Sequence, residues 1–75
     1  MDELSIKLAA VIKRHREALG IPLYKLAKEA KLDQTAPGKI ERGLRRPSID
    51  TAAAIAKALR VPLWKLIKEA ESDRI

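Results

Sequence analysis

Four prolines and three glycines decide how long any regular element of this 75-residue chain can be. Gly20, Pro22, Pro37, Gly38, Gly43, Pro47 and Pro62 divide it into short pieces. Within those pieces apolar residues recur at three- and four-residue intervals, the helical period, and none alternates as a half-buried strand does. The expected fold class is therefore all-α: five short helices in one domain spanning residues 1–75.

Leu4, Leu8, Val11, Ile12 and Leu19 fall on one stripe of a first helix over residues 4–19, with His15 in mid-stripe and Arg16 at its edge. Gly20 can take the left-handed conformation that ends such a helix. Pro22 pre-sets the first turn of a second helix, residues 23–30, whose inner face is Leu23, Leu26, Ala27 and Ala30. After Pro47, Ser48 caps an alanine-rich fourth helix over residues 49–59. Pro62 opens a fifth with Leu63, Leu66, Ile67 and Ala70 on one face, and residues 72–75 form a fraying tail.

The third helix carries a conflict. Asp33 as N-cap starts it at residue 34 and runs it to about Arg42, with Gly43 just past its end. Pro37 is then the fourth helical residue, where a missing amide and a ring clash can cost ~3 kcal/mol. A start shifted to Ala36 makes Pro37 a tolerated first-turn residue and leaves residues 33–36 as an extended or turn segment. A distorted or late-starting third helix is expected.

Aromatic residues are confined to Tyr24 and Trp64, so the core must be Leu, Ile, Val and Ala. A chain this short builds only a modest core and leaves little room for an enclosed active site or a separate ligand-sensing domain. Cysteine is absent, which excludes disulfides and thiolate metal sites and is compatible with the expected cytoplasmic location. No run approaches the ~20 apolar residues of a membrane span. There is no Ser-His-acid set, no glycine-rich phosphate loop and no pair of carboxylates on one face, so the chain reads as a non-enzyme. No cofactor, metal or small-molecule ligand is expected: His15 is the sole histidine, and a half-buried imidazole bonded to a backbone group is the simpler reading.

The net charge of +6 is uneven. Residues 1–31 hold seven bases against four acids, residues 32–47 four against two, and residues 48–75 five against four. Basic charge gathered in the first two-thirds fits a nucleic-acid footprint, or simply a soluble basic protein. Two short helices joined by a tight turn and followed by the basic loop Leu44-Arg45-Arg46-Pro47 suit the major groove of DNA.

Ile40-Glu41-Arg42-Gly43, Arg45, Pro47-Ser48, Ile55-Ala56-Lys57-Ala58-Leu59 and Val61-Pro62-Leu63 occur in order at these spacings. In this set the chain resembles the phage-repressor-type helix-turn-helix domain of the XRE (lambda repressor/Cro-like) family over roughly residues 5–70. The resemblance implies a five-helix lambda-repressor-like domain with the helix-turn-helix at helices two and three, about residues 23–42. It implies base contacts from Gln34, Thr35 and Lys39 at the start of helix three, and phosphate contacts from Arg42, Arg45 and Arg46. Glutamine suits an adenine edge and lysine the guanine acceptors, whereas the phosphate contacts set affinity and register. It further implies an ion pair between Arg16 and Glu41 that is structural.

Departures from the family pattern fall on the DNA-facing part. Pro22 and Leu23 stand where a Ser or Thr cap and a glutamine are usual, which removes one side-chain cap and one polar contact. Lys31 and Arg60 replace glycines at left-handed positions, at a cost of about a kilocalorie each, although Lys31 adds positive charge beside a phosphate. Tyr24 either bonds a phosphate or covers the adjacent surface. Trp64, beside the inner face of helix five with Leu63 and Ile67, marks a dimer contact or rims the monomer core.

The leading expectation is a sequence-specific DNA-binding transcriptional regulator, a homodimer on a two-fold site in double-stranded DNA, with a regulatory protein partner as one means of control. The rivals are a degenerate helix-turn-helix serving protein–protein interaction, and DNA binding without sequence choice.

Overall fold

The computed structural model describes residues 3–72. All regular structure among them is helical, in the order α1 (Glu3–Ala18), α2 (Leu23–Ala30), α3 (Ala36–Glu41), α4 (Ile49–Ala58) and α5 (Leu63–Ser72). Four of the five helices lie within a residue of their sequence expectation at each end. Ser72 closes α5, and the rest of the expected frayed tail lies outside the described residues.

One motif ends each of the first four helices. The amide after the left-handed residue reaches back five positions: Ile21 to the Arg16 carbonyl, Leu32 to Ala27, Leu44 to Lys39 and Val61 to Ala56. These bonds, between 2.9 and 3.2 Å, are the long bonds of Schellman caps. The left-handed residues are Gly20 and Gly43, with φ +69° and +75°, and Lys31 and Arg60, with φ +58° and +64°. The expectation for Lys31 and Arg60 therefore holds: each keeps its side chain in a conformation that favours glycine.

Helix starts differ more. Ser48 accepts the Thr51 amide at 3.0 Å as expected of a cap, whereas Pro22 caps α2 with no side-chain bond. In α3 the later of the two possible starts occurs. Residues 33–36 form a turn closed by the Ala36 amide and the Asp33 carbonyl at 3.0 Å, and the first helical bond runs from Lys39 to Thr35. Asp33 still accepts the Thr35 amide, but Thr35 is the N-cap. Pro37 thus falls in the first turn, where its missing amide would have had no helical partner. Its ring is fully buried and fills the apolar position that faces the core.

Ile12, Leu26, Ile40, Ile55, Leu59, Leu66 and Val11 are the large side chains at the centre of the core. Each contributes about 1.5–3 kcal/mol on burial. Helix α1 packs on α5 and α3, while α2 packs on α3 and α4. Two members of the expected α1 stripe are not core: Leu4 and Leu19, at the ends of the helix, are 42% and 47% exposed. His15 is half-buried, but its partner is a carboxylate and not a backbone group. Its Nε2 lies 2.9 Å from Glu69 Oε1, which also forms an ion pair with Arg14 Nη2 at 3.6 Å, and the two contacts tie α1 to α5. The His15 bond chiefly holds the Glu69 carboxyl below the ordinary range, against a smaller opposing effect of burial, with the Arg14 charge assisting.

Candidate nucleic-acid interface

Helix α3 buries one side completely and leaves the other to solvent. Ala36, Pro37, Gly38 and Ile40 are buried, whereas Gln34, Thr35, Lys39 and Arg42 are exposed. Small residues at 36 and 38 let this six-residue helix sit low against α1 and α2, so its polar edge projects. The loop after Gly43 continues that edge with Leu44, Arg45 and Arg46, all exposed. The Arg42 guanidinium lies along Gly38, where an added Cβ would be 3.6 Å from its Nη1.

The anchor beneath this edge is the expected ion pair. Arg16 Nε donates to Glu41 Oε2 at 2.7 Å and Nη2 donates to Oε1 at 3.1 Å, while Nη1 donates to the Ile21 carbonyl at 2.8 Å. The two side chains are 13% and 6% exposed. Hydrogen bonding to Glu41 raises the Arg16 pKa above its ordinary value, against the opposing effect of burial. The pair also turns the Glu41 charge inward. The stretch 39–46 therefore presents Lys39, Arg42, Arg45 and Arg46 outward with no exposed acid among them.

Asp33, just before α3, is exposed. Its carboxyl is held below the ordinary range first by hydrogen bonds from the Thr35 hydroxyl and amide, then by the charges of Lys39 and Arg45. Tyr24 and Gln34 line one shallow groove with Ala27, Lys28 and Leu32. Lys28, one helical turn after Tyr24, lines that groove beside it.

Lys31 is placed elsewhere. It lines a separate groove with Lys57 and Arg60, between the C-terminal ends of α2 and α4. The length of α4, about 15 Å for ten residues, separates that end from the basic loop. Trp64 is 65% exposed on α5, where it borders a groove with Pro62, Lys65, Lys68, Glu69 and Ser72. Leu63 and Ile67, expected beside it, are half-buried and pack against the core. No helix among the described residues is long and apolar enough to cross a membrane.

A family model described as helix-turn-helix matches residues 12–63. The restriction-modification controller protein C.AhdI from Aeromonas hydrophila is 29% identical, with a TM-score of 0.79 over 83% of this chain and 94% of that one. The wild-type controller C.Esp1396I is 27% identical, with a TM-score of 0.86 and both chains covered in full. A point mutant of C.Esp1396I bound to its highest affinity operator site is 33% identical, with a TM-score of 0.83 over 96% of this chain and all of that one. No curated protein sequence matches.

Proposed function

The chain belongs to the XRE-type helix-turn-helix family, and on that premise we propose that it is a sequence-specific DNA-binding transcriptional regulator acting as a homodimer on a two-fold operator. The observation that carries this reading is the polar edge of α3. Lys39 projects from a helix whose opposite side is wholly buried, Gln34 and Thr35 are exposed in the turn and cap just before it, and Arg42, Arg45 and Arg46 continue the same edge. A rigidly seated short helix with outward polar side chains suits the major groove, where Gln34, Thr35 and Lys39 meet base edges. Arg42, Arg45 and Arg46 then grip phosphate, joined by Tyr24 from the start of α2, and set register without reading sequence. The operator-bound controller with which this chain shares its fold supports the assignment.

Dimerisation follows from the symmetry of such sites, because two copies presenting α3 about 34 Å apart read successive turns of one DNA face. The exposed Trp64 side of α5, with Leu63 and Ile67 supporting it from below, is the proposed contact. A Trp64→Ala variant is expected to sediment as monomer at concentrations where the wild type is dimeric; equal sedimentation removes this interface. A regulator of this kind works in the cytoplasm, and a concentration-dependent dimer gives it control through its own abundance.

Selection from a random duplex pool at near-physiological salt, followed by sequencing, tests the function. Enrichment of a two-fold-symmetric site is expected. A bound but unenriched pool leaves phosphate grip alone, and no binding favours the protein-interaction reading.

A further inference from the structure

The start of α3 contains a hydrogen bond that DNA binding does not by itself explain. The Thr35 hydroxyl and the Thr35 amide both donate to one oxygen, Asp33 Oδ2, the amide at 3.1 Å. Both residues are exposed, so the bond is not forced by burial. A threonine hydroxyl has one hydrogen to donate and two lone pairs with which to accept. With that hydrogen directed at Asp33, Thr35 offers the solvent lone pairs and a methyl group. Base edges in the major groove differ in this respect: adenine N6 and cytosine N4 donate, whereas guanine O6 and N7 and thymine O4 accept.

We propose that Asp33 is a specificity-determining positioning residue: by holding the Thr35 hydroxyl hydrogen it makes Thr35 an acceptor that selects an amino-bearing base, adenine through N6 or cytosine through N4, over guanine or thymine at one position of one operator strand. This rests on the DNA-reading function proposed above.

The backbone holds the arrangement from both sides. Thr35 is the last inner residue of the turn closed between Asp33 and Ala36, and its carbonyl accepts the Lys39 amide at 3.1 Å. Ala36 and Pro37, buried directly after it, fix the direction in which residue 35 leaves the core. The carboxylate must also stay ionised, since a protonated one would bring its own hydrogen to the bond. The Thr35 bonds and the nearby Lys39 and Arg45 keep it so. A negative charge on a surface that approaches a polyanion weakens general affinity, so its contribution is to selection and not to grip.

The test repeats the random-duplex selection in parallel for the wild type, Asp33→Asn and Asp33→Ala, each with a melting curve. An asparagine carbonyl can accept the same two hydrogens without the charge, whereas an alanine methyl cannot. The wild type is expected to enrich a site that prefers adenine or cytosine over guanine or thymine at one position of one strand. Asp33→Asn should keep that preference and bind all sequences several-fold more tightly. Asp33→Ala should tolerate either class of base there, losing about tenfold discrimination with the other positions unchanged. If Asp33→Ala melts too low to assay, Thr35→Val deletes the hydroxyl and leaves Asp33 intact, and it should lose the same preference. An unenriched wild-type pool overturns the DNA-reading function and this assignment together. An enriched wild-type site whose every position survives in Asp33→Ala or Thr35→Val overturns this assignment alone, as does an Asp33→Asn variant relaxed like Asp33→Ala.

Discussion

Removing Glu41 should be among the most damaging single changes to this domain. Glu41→Ala leaves the Arg16 guanidinium, on a side chain 13% exposed, with the Ile21 carbonyl at 2.8 Å as its remaining bonded partner among the three described above. Breaking a buried ion pair by deleting one partner typically costs about 3–5 kcal/mol. Arg16 keeps one of its three bonds and a solvent-facing edge, which lowers the expectation to about 2–3 kcal/mol. For a domain of this size that is a melting-temperature fall of roughly 10–20 °C. Thermal unfolding followed by circular dichroism at pH 7 measures it directly. Raising the salt concentration should change the difference little, because the pair is shielded from solvent. The sharper arm is the double variant Arg16→Met/Glu41→Leu, which removes both charges together and should recover most of the loss. A Glu41→Ala melting temperature within two or so degrees of the wild type, or a double variant no better than the single, would refute the reasoning.

Gly38→Ala should stabilise the fold by up to ~1 kcal/mol, the usual helix-interior difference between the two residues. The added methyl would sit 3.6 Å from both Arg42 Nη1 and Leu23 Cδ1, an ordinary contact, so a lower melting temperature would show that α3 is seated more tightly than this. Arg60→Gly relieves a left-handed side chain, worth about 1–2 kcal/mol, and frees the unfolded chain by roughly 0.5–1 kcal/mol. A small net gain in denaturant midpoint is expected, and a clear loss would mean that the Arg60 side chain makes a stabilising contact. Glu69 has a folded pKa below its unfolded value, so its contribution is present above the ordinary carboxylate range and is lost as pH falls through the folded pKa. Melting temperature between pH 6 and 3 should therefore drop more steeply in the wild type than in Glu69→Gln, and parallel profiles would contradict this.

Much of the fold was legible because punctuation and periodicity agreed. Ser48 after Pro47, and Gly20 and Gly43 after their helices, specify boundaries by local chemistry alone, and the structure follows them. Lys31 and Arg60 were harder, since nothing intrinsic to them favours a positive φ. There the packing of α2 and α4 sets the backbone, and the side chain is carried into it. The stripe on α1 misled at its ends because a helical period assigns a face but not the reach of the neighbouring helices. Leu4 and Leu19 lie on the correct stripe and remain 42% and 47% exposed. The His15 partner was beyond reach for a related reason: Glu69 is fifty-four residues away, and only tertiary packing brings the two side chains together.

Local rules offered two starts for α3 and could not choose between them without knowing whether Pro37 had a place in the core. Its ring does, and the consequence extends to the reading edge. With helical bonding beginning at the Thr35 carbonyl, Gln34 lies in a turn and Thr35 at the cap, and only Lys39 stands on the helix itself. Two of the three proposed base contacts are thus positioned by turn geometry and by the Asp33 carboxylate. A substitution that lengthens α3 backwards, such as Pro37→Ile, should therefore alter which bases are preferred even if it raises stability. Random-duplex selection with that variant compares the two arrangements on one scaffold. An unchanged preference accompanied by a higher melting temperature would show that the turn is incidental to reading.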